Sequence, residues 1–209
     1  MGSAKSKAAA RRARAEELRR KEAARERRNK QLTYLAVAVV VIATAIGGYF
    51  IVDAAQEEEK EAAKPLKGEQ SWDDLGRDHV TEDVDYKMTP PAGGDHDPTW
   101  QNCNGDVYTE PIRDENAVHA LEHGTVWVTY ADGAKDADVK KLTERVQNTP
   151  YTMISPYPDQ PGTLTLTAWG KQLTVKKASD PRVEKFFEKY VQGPQTPEPG
   201  AACTGGKGA

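Results

Sequence analysis

The chain has 209 residues, a formal net charge of −3, four histidines and two cysteines. Such a chain can bury one core of ordinary domain size, and it lacks the cysteines for a disulfide-stapled miniature or a CxxC motif. The small net charge hides an asymmetry: residues 1–31 hold 12 of the 29 Lys/Arg but only 4 of the 32 Asp/Glu.

Residues 1–31 are rich in Ala, Arg, Glu and Lys, all strong helix formers, and nearly lack larger apolar side chains. They read as a basic, partly helical cytoplasmic tail beside anionic lipid, where each cation contributes about 1 kcal/mol of attraction. No nucleic-acid role is expected of a basic tract that runs straight into an apolar span. That span is Leu32–Val52, LTYLAVAVVVIATAIGGYFIV, 21 residues without a charge. At about 1.5 Å per residue it reaches roughly 31 Å, the thickness of a bilayer's hydrocarbon core. Tyr34 and Tyr49 stand near its ends, where aromatic rings favour the headgroup level. Both the basic start and the apolar run exceed those of a cleaved signal, so an anchor is expected. Lys and Arg accumulate on the cytoplasmic flank, which predicts a single-pass cell-membrane protein with its N-terminus inside and the later residues outside.

Residues 53–70 are acidic and Ala-rich and read as a juxtamembrane linker, helical at its start. An extracytoplasmic domain is expected over 71–192, followed by a Pro/Gly-rich tail over 193–209. Turn-forming residues dominate 71–113, and 88–100 reads as a long loop of the kind that carries function or is disordered. Asp114 suits the N-cap of a short helix over Glu115–His123, with Gly124 at C′. Thr125–Tyr130 reads as a strand, Ala137–Gln147 as a helix, and Tyr151–Ser155 as a strand ended by Pro156. Thr163–Ala168 alternates Thr with Leu164 and Leu166, which predicts a half-buried strand, and Gly170-Lys171 turns the chain back through Leu173 and Val175. Pro181 opens a last helix with Val183, Phe186, Phe187 and Tyr190 on one stripe. This order predicts an α+β fold with a mixed or antiparallel sheet and about three helices.

Cys103 and Cys203 are expected to pair, because thiols outside the cytoplasm tend to oxidise. In the chain-entropy model a loop of about 100 residues gains up to about 4.7 kcal/mol from such a bridge.

All four histidines follow the apolar span. His119 and His123, at i and i+4, share a helix face and can offer two imidazoles to one metal ion. His96, in the Gly/Asp-rich loop, is the expected third ligand, and His79 a weaker fourth. Glu122 reads as a further ligand or a partner that orients an imidazole, and the Met153 thioether would favour Cu(I) if it joined. The expected metal is copper or zinc. One alternative is a non-catalytic envelope interaction module with structural histidines. Another is a zinc hydrolase, because His119-Ala-Leu-Glu-His123 matches H-x-x-E-H, where the Glu activates metal-bound water. No downstream acidic ligand stands out and Gly124 ends the helix at once, so a binding protein is expected before an enzyme. Protein partners are not legible.

Pro90-Pro91, the Gly-rich approach to His96, Trp100, Cys103, the run Ala117–Gly124 containing HALEHG, Ser155-Pro156-Tyr157-Pro158 and Ala168-Trp169-Gly170 together resemble the bacterial domain-of-unknown-function family 3105, frequent in actinobacteria. The resemblance covers about residues 70–200. It implies tethering by one N-terminal helix and a joint importance of His96, His119, Glu122 and His123. The family pattern also implies a shorter turn after Cys103 than Asn104-Gly105-Asp106 provides.

Overall fold

The structure, a computed structural model, describes residues 2–208. They form two units, one ending at Ala63 and one beginning at Lys64. The first is a single helix, α1 (Gly2–Ala63), of 62 residues. It runs unbroken through the basic tract, the apolar span and the start of the linker, because helix formers flank the span on both sides. It stops where Pro65 disfavours helical backbone in the residue before it. The helix is long and apolar enough to cross a membrane. Leu35, Val40, Ile46 and Phe50 are each more than half exposed on it. Thr33 and Thr44 donate their hydroxyls to the carbonyls of Asn29 and Val41, so both polar groups are satisfied within the helix.

The second unit is an α+β domain. In chain order it holds β1 (Glu69–Ser71), β2 (Asn104–Val107), α2 (Asp114–Glu122), β3 (Val126–Tyr130), α3 (Asp136–Gln147), β4 (Thr152–Pro156), β5 (Leu164–Ala168), β6 (Lys171–Val175) and α4 (Pro181–Tyr190). The strands form one six-stranded sheet in the order β1-β6-β5-β3-β4-β2. β3, β4 and β2 run parallel, and β5, β6 and β1 pair antiparallel, so the sheet is mixed. β1 and β2 are too short to show periodicity, and neither is legible in the sequence. After Cys103 the pairing of β2 with β4 is broken by a bulge between Asn104 and Asp106, which places Gly105.

Alternation along the strands loads both faces of the sheet. Val126, Val128, Ile154, Leu166 and Leu173 pack on one face with α3 and with Val183, Phe186 and Phe187 of α4. Trp127 and Met153 point to the other face and pack with Val118 and Leu121 of α2, Trp169 and the two cysteines. β5 is buried along its whole length, not half-buried as its pattern predicts. Its Thr side lies under the loop that precedes His96: Gln172 on β6 donates to both Thr167 Oγ1 (3.2 Å) and Pro90 O (2.9 Å). That loop is therefore a second roof over the sheet. Gly93 permits the close approach, since a Cβ there would stand 2.6 Å from Leu75 Cδ1.

The start of α2 also differs from expectation. Its N-cap is Arg113, without a side-chain cap. Asp114 lies inside the helix and accepts a hydrogen bond from the Tyr157 hydroxyl (2.9 Å) instead. By contrast, Asp180 caps α4 as a carboxylate should, accepting from Arg182 N (2.9 Å). Cys103 and Cys203 form a disulfide across 100 residues of sequence. It holds the C-terminal segment against the domain.

Candidate metal centre

Three segments converge above the α2 face of the sheet. The first two are loops joined by a single bridge: Val80 N donates to His96 O (2.8 Å), and His96 N donates to Asp78 O (3.0 Å). This pairing sets the rings of His79 and His96 5.0 Å apart, centroid to centroid. Helix α2 supplies the third segment. His119 and Glu122 are three residues apart on it and so lie on one helical face.

The side-chain donors of His79, His96, His119 and Glu122 lie within 4.8 Å of one another, the last three buried and His79 exposed. A tetrahedral ion with bonds of about 2.0–2.1 Å needs its ligands roughly 3.4 Å apart, so binding would draw this set together by about 1 Å. His123 stands beside the group rather than in it. It is the C-cap of α2, and its Nδ1–H donates to Ala202 O (2.7 Å), which turns the ring toward Trp100. Its ring meets His119 edge-on at 4.6 Å. The i,i+4 spacing brings the two imidazoles into contact, but the helix ends between them. Met153 is fully buried in the core with Trp127.

The tautomers follow from the carbonyls around the rings. His96 Nδ1 lies 2.7 Å from Gly94 O and His119 Nδ1 2.6 Å from Asp97 O. A carbonyl only accepts, so each Nδ1 carries the proton and each Nε2 presents a lone pair. This is the arrangement by which a backbone acceptor orients a metal-ligating imidazole. Gly94, Asp97 and Ala202 were missed as orienting groups, and no side-chain pattern could have revealed backbone acceptors.

Glu122 is 2 % exposed and held from two sides. Arg77 Nε contacts Oε1 at 2.5 Å, and His96 Nε2 stands 3.0 Å from Oε2. The second contact is an ion pair when His96 carries a proton, although it is not aligned as a hydrogen bond. Burial works against charge on His96, but the Glu122 carboxylate and the Gly94 carbonyl outweigh it and hold His96 above its ordinary range. Burial likewise opposes charge on Glu122, yet His96 and Arg77 keep it well below the usual carboxylate range. Burial and the neighbouring imidazoles push His119 down to about 4. Burial lowers His123 too. Arg77, and Glu198 whose Oε1 lies 3.5 Å from Arg77 Nη2, come from segments without regular structure and left no trace in sequence periodicity. Trp169 meets His96 edge-on at 6.0 Å, and Trp100 meets His119 at 5.8 Å, so indoles flank the cluster.

The arrangement offers three imidazole nitrogens and one carboxylate oxygen. A family model described as "Protein of unknown function (DUF3105)" matches residues 79–205. The matched span opens on His79 and closes just past Cys203, so it contains every donor of the cluster and both cysteines. No curated protein and no solved structure matches the chain.

Proposed function

This chain belongs to the domain-of-unknown-function family 3105, and from the residues inside that span we propose that its folded domain binds one transition-metal ion, zinc or copper. His96, His119 and Glu122 are the inner ligands and His79 completes the set from the solvent side. The observation that carries this reading is the convergence of buried His96, His119 and Glu122 with His79, in which His96 Nε2 stands 3.0 Å from the Glu122 carboxylate without an aligned hydrogen bond. With His96 neutral the two lone pairs repel, a contact that a proton or a metal cation relieves, and the further imidazoles of His79 and His119 converging on the same point favour the metal. A set of imidazole and carboxylate without sulfur suits Zn(II) or Cu(II) better than Cu(I).

In this reading α1 anchors the domain in the cell membrane with the basic tract inside. Support comes from the excess of Lys/Arg before the apolar run and from the disulfide after it. An H-x-x-E-H hydrolase is disfavoured by geometry, since His123 turns away from the group and Glu122 is already engaged by Arg77. To test metal binding, the full chain in detergent is stripped with chelator, titrated with Zn(II) and Cu(II), and analysed for retained metal. One ion per chain is expected for the wild type and none for a His96→Ala/His119→Ala variant. Equal uptake by both proteins overturns the reading.

A further inference from the structure

The C-terminal segment after α4, residues 192–207, crosses the domain as a strap with no helix or strand of its own. Its contacts divide between the 100–103 segment and the end of α2, the helix that carries His119 and Glu122. A helix end leaves its last carbonyls without intrahelical donors. Here Ala120 O and Leu121 O are satisfied by Thr125 N and Gly124 N. The next two carbonyls belong to Glu122 and His123, and the strap satisfies both: Glu198 N donates to Glu122 O (3.0 Å), and Gln192 Nε2 donates to His123 O. Gln192 Oε1 accepts in turn from Gly200 N (2.7 Å), which folds the strap onto itself. Ala202 O receives the His123 Nδ1–H, and the residue after it is Cys203, bonded to Cys103.

Resting on the metal-binding reading above, we infer that the Cys103–Cys203 disulfide sets the metal affinity of the centre, tight when oxidised and weak when reduced. The coupling runs through the strap. With the bridge closed, the strap caps α2 and fixes the backbone of Glu122, a ligand. With the bridge open, hydrogen bonds alone hold the strap: Lys207 and Gly206 stay paired with Trp100 and Asn102 at its far end, and Cys203 O accepts from Cys103 N (2.9 Å), but no covalent tie fixes the segment that caps α2. The caps on the last turn of α2 are then held less firmly, and the Glu122 carboxylate loses its fixed placement. The reductant is a dithiol. One thiolate attacks the Cys203 sulfur, breaking the S–S bond and releasing Cys103 thiolate, which takes up a proton. The second thiol resolves the mixed disulfide, so two electrons and two protons pass to the protein and the dithiol leaves oxidised. Both cysteines are buried, Cys103 at 0 % and Cys203 at 6 % exposed, and Cys203 is flanked by exposed Ala202 and Thr204, so a dithiol approaches from the strap side.

The test is a competition titration of Zn(II) against a chromophoric chelator, using the full chain in detergent, before and after reduction by a dithiol. The Zn(II) Kd is expected to rise at least tenfold on reduction, with the far-UV spectrum and a cooperative thermal transition retained. A Cys103→Ser/Cys203→Ser variant should match the reduced protein, which excludes new thiolate ligands as the cause. Should that variant fail to fold, Gln192→Asn tests the same coupling with the disulfide intact. Asn tolerates the positive φ of 52° at this position but is one methylene too short to bridge His123 O and Gly200 N. Its Kd should rise as well, by a smaller factor. Equal affinity in the oxidised, reduced and Gln192→Asn proteins overturns the inference and leaves metal binding standing. Absence of binding in every form overturns both.

Discussion

His96 Nε2 and Glu122 Oε2 stand 3.0 Å apart inside the fold, with the two side chains 0 % and 2 % exposed. Since Nδ1 of His96 donates to Gly94 O, a neutral ring turns a lone pair toward a carboxylate. Only a proton on Nε2 or a cation between the groups relieves that contact. Glu122→Gln separates these cases. The amide can donate to His96 Nε2 while its oxygen still accepts from Arg77. Without metal the variant should be at least as stable as the wild type in urea unfolding, because a buried acceptor gains a donor. Its Zn(II) affinity should fall by at least about 10-fold, since even the groups that only orient metal ligands are worth about 10–100-fold. Unchanged affinity would show that the carboxylate is not a ligand.

The placement of the four imidazoles gives an ordered prediction. His79 belongs to the donor group although it is exposed, and His123 stands outside it although it is buried. His79→Ala should therefore weaken metal binding more than His123→Ala, as read by calorimetric titration of each variant. For stability the order reverses: His123→Ala leaves Ala202 O without its donor and should cost about 1–2 kcal/mol, whereas His79→Ala should lie within about 0.5 kcal/mol of the wild type.

Most of the regular fold was legible because its signals are local. The β-branched run of β3, the Leu alternation of β5 and the apolar stripe of α4 each announce an element by period alone, and Pro181 marks a helix start. The candidate metal centre was legible only in its vocabulary. The i,i+4 pair drew attention to His119 and His123, yet the partner that completes the group is Glu122 at i+3. What separates them is the end of α2 and a carbonyl 79 residues away. His79 was weakly legible because its position depends on one bridge to the His96 segment. The long loop over 88–100 supplies His96 to the candidate site while its Pro90 end roofs the sheet, and burial of β5 follows from that packing.

Acid should loosen the metal-free domain through His119. Burial and the neighbouring rings hold it at about 4, below the roughly 6.5 of an unfolded chain. The unfolded state binds this proton more tightly, so the stabilisation is complete above pH 6.5 and is lost as pH falls through 4. The gap corresponds to about 3 kcal/mol at most. His96, held above its ordinary range, acts in a different window: its contribution is complete below 6.5 and is lost as pH rises through the raised value. Urea unfolding of the chelator-treated chain at pH 7.5 and pH 4 measures the first effect. The drop should shrink in His119→Gln, and an undiminished drop would place its cause elsewhere.

Asp114 carries the opposite sign at the other end of α2. Burial first, and then the charge of Glu115, raise it to about 6, while the Tyr157 hydroxyl pulls it back. A carboxyl with a raised folded value contributes stability below the ordinary value near 3.9, and this is lost as pH rises through 6. At pH 8 the ionised group is therefore a net cost, partly offset by the helix N-terminus and by its partial exposure. Asp114→Asn keeps an acceptor for Tyr157 and should raise stability at pH 8 by about 1 kcal/mol, with no gain at pH 4. A variant less stable than wild type at both values would mean that the helix end favours the anion more than burial opposes it.

The direction of the chain through the membrane can be read with two reporters. α1 carries its cations before the apolar run, and the only disulfide among the described residues lies in the unit after it. Cytoplasmic placement of the cations and an oxidising milieu for Cys103 and Cys203 both require the domain to be outside. Alkaline phosphatase fused after the C-terminus, active only where its own disulfides form, should be active, and green fluorescent protein exported at the same position should stay dark. Reversing the charge of Arg19, Arg20, Lys21, Arg27 and Arg28 to Glu should lower the phosphatase signal, because in the proposed orientation those cations keep the N-terminus inside. Full phosphatase activity in the reversed variant would assign orientation to something other than the basic tract, and a bright fluorescent fusion in the wild type would place the domain in the cytoplasm.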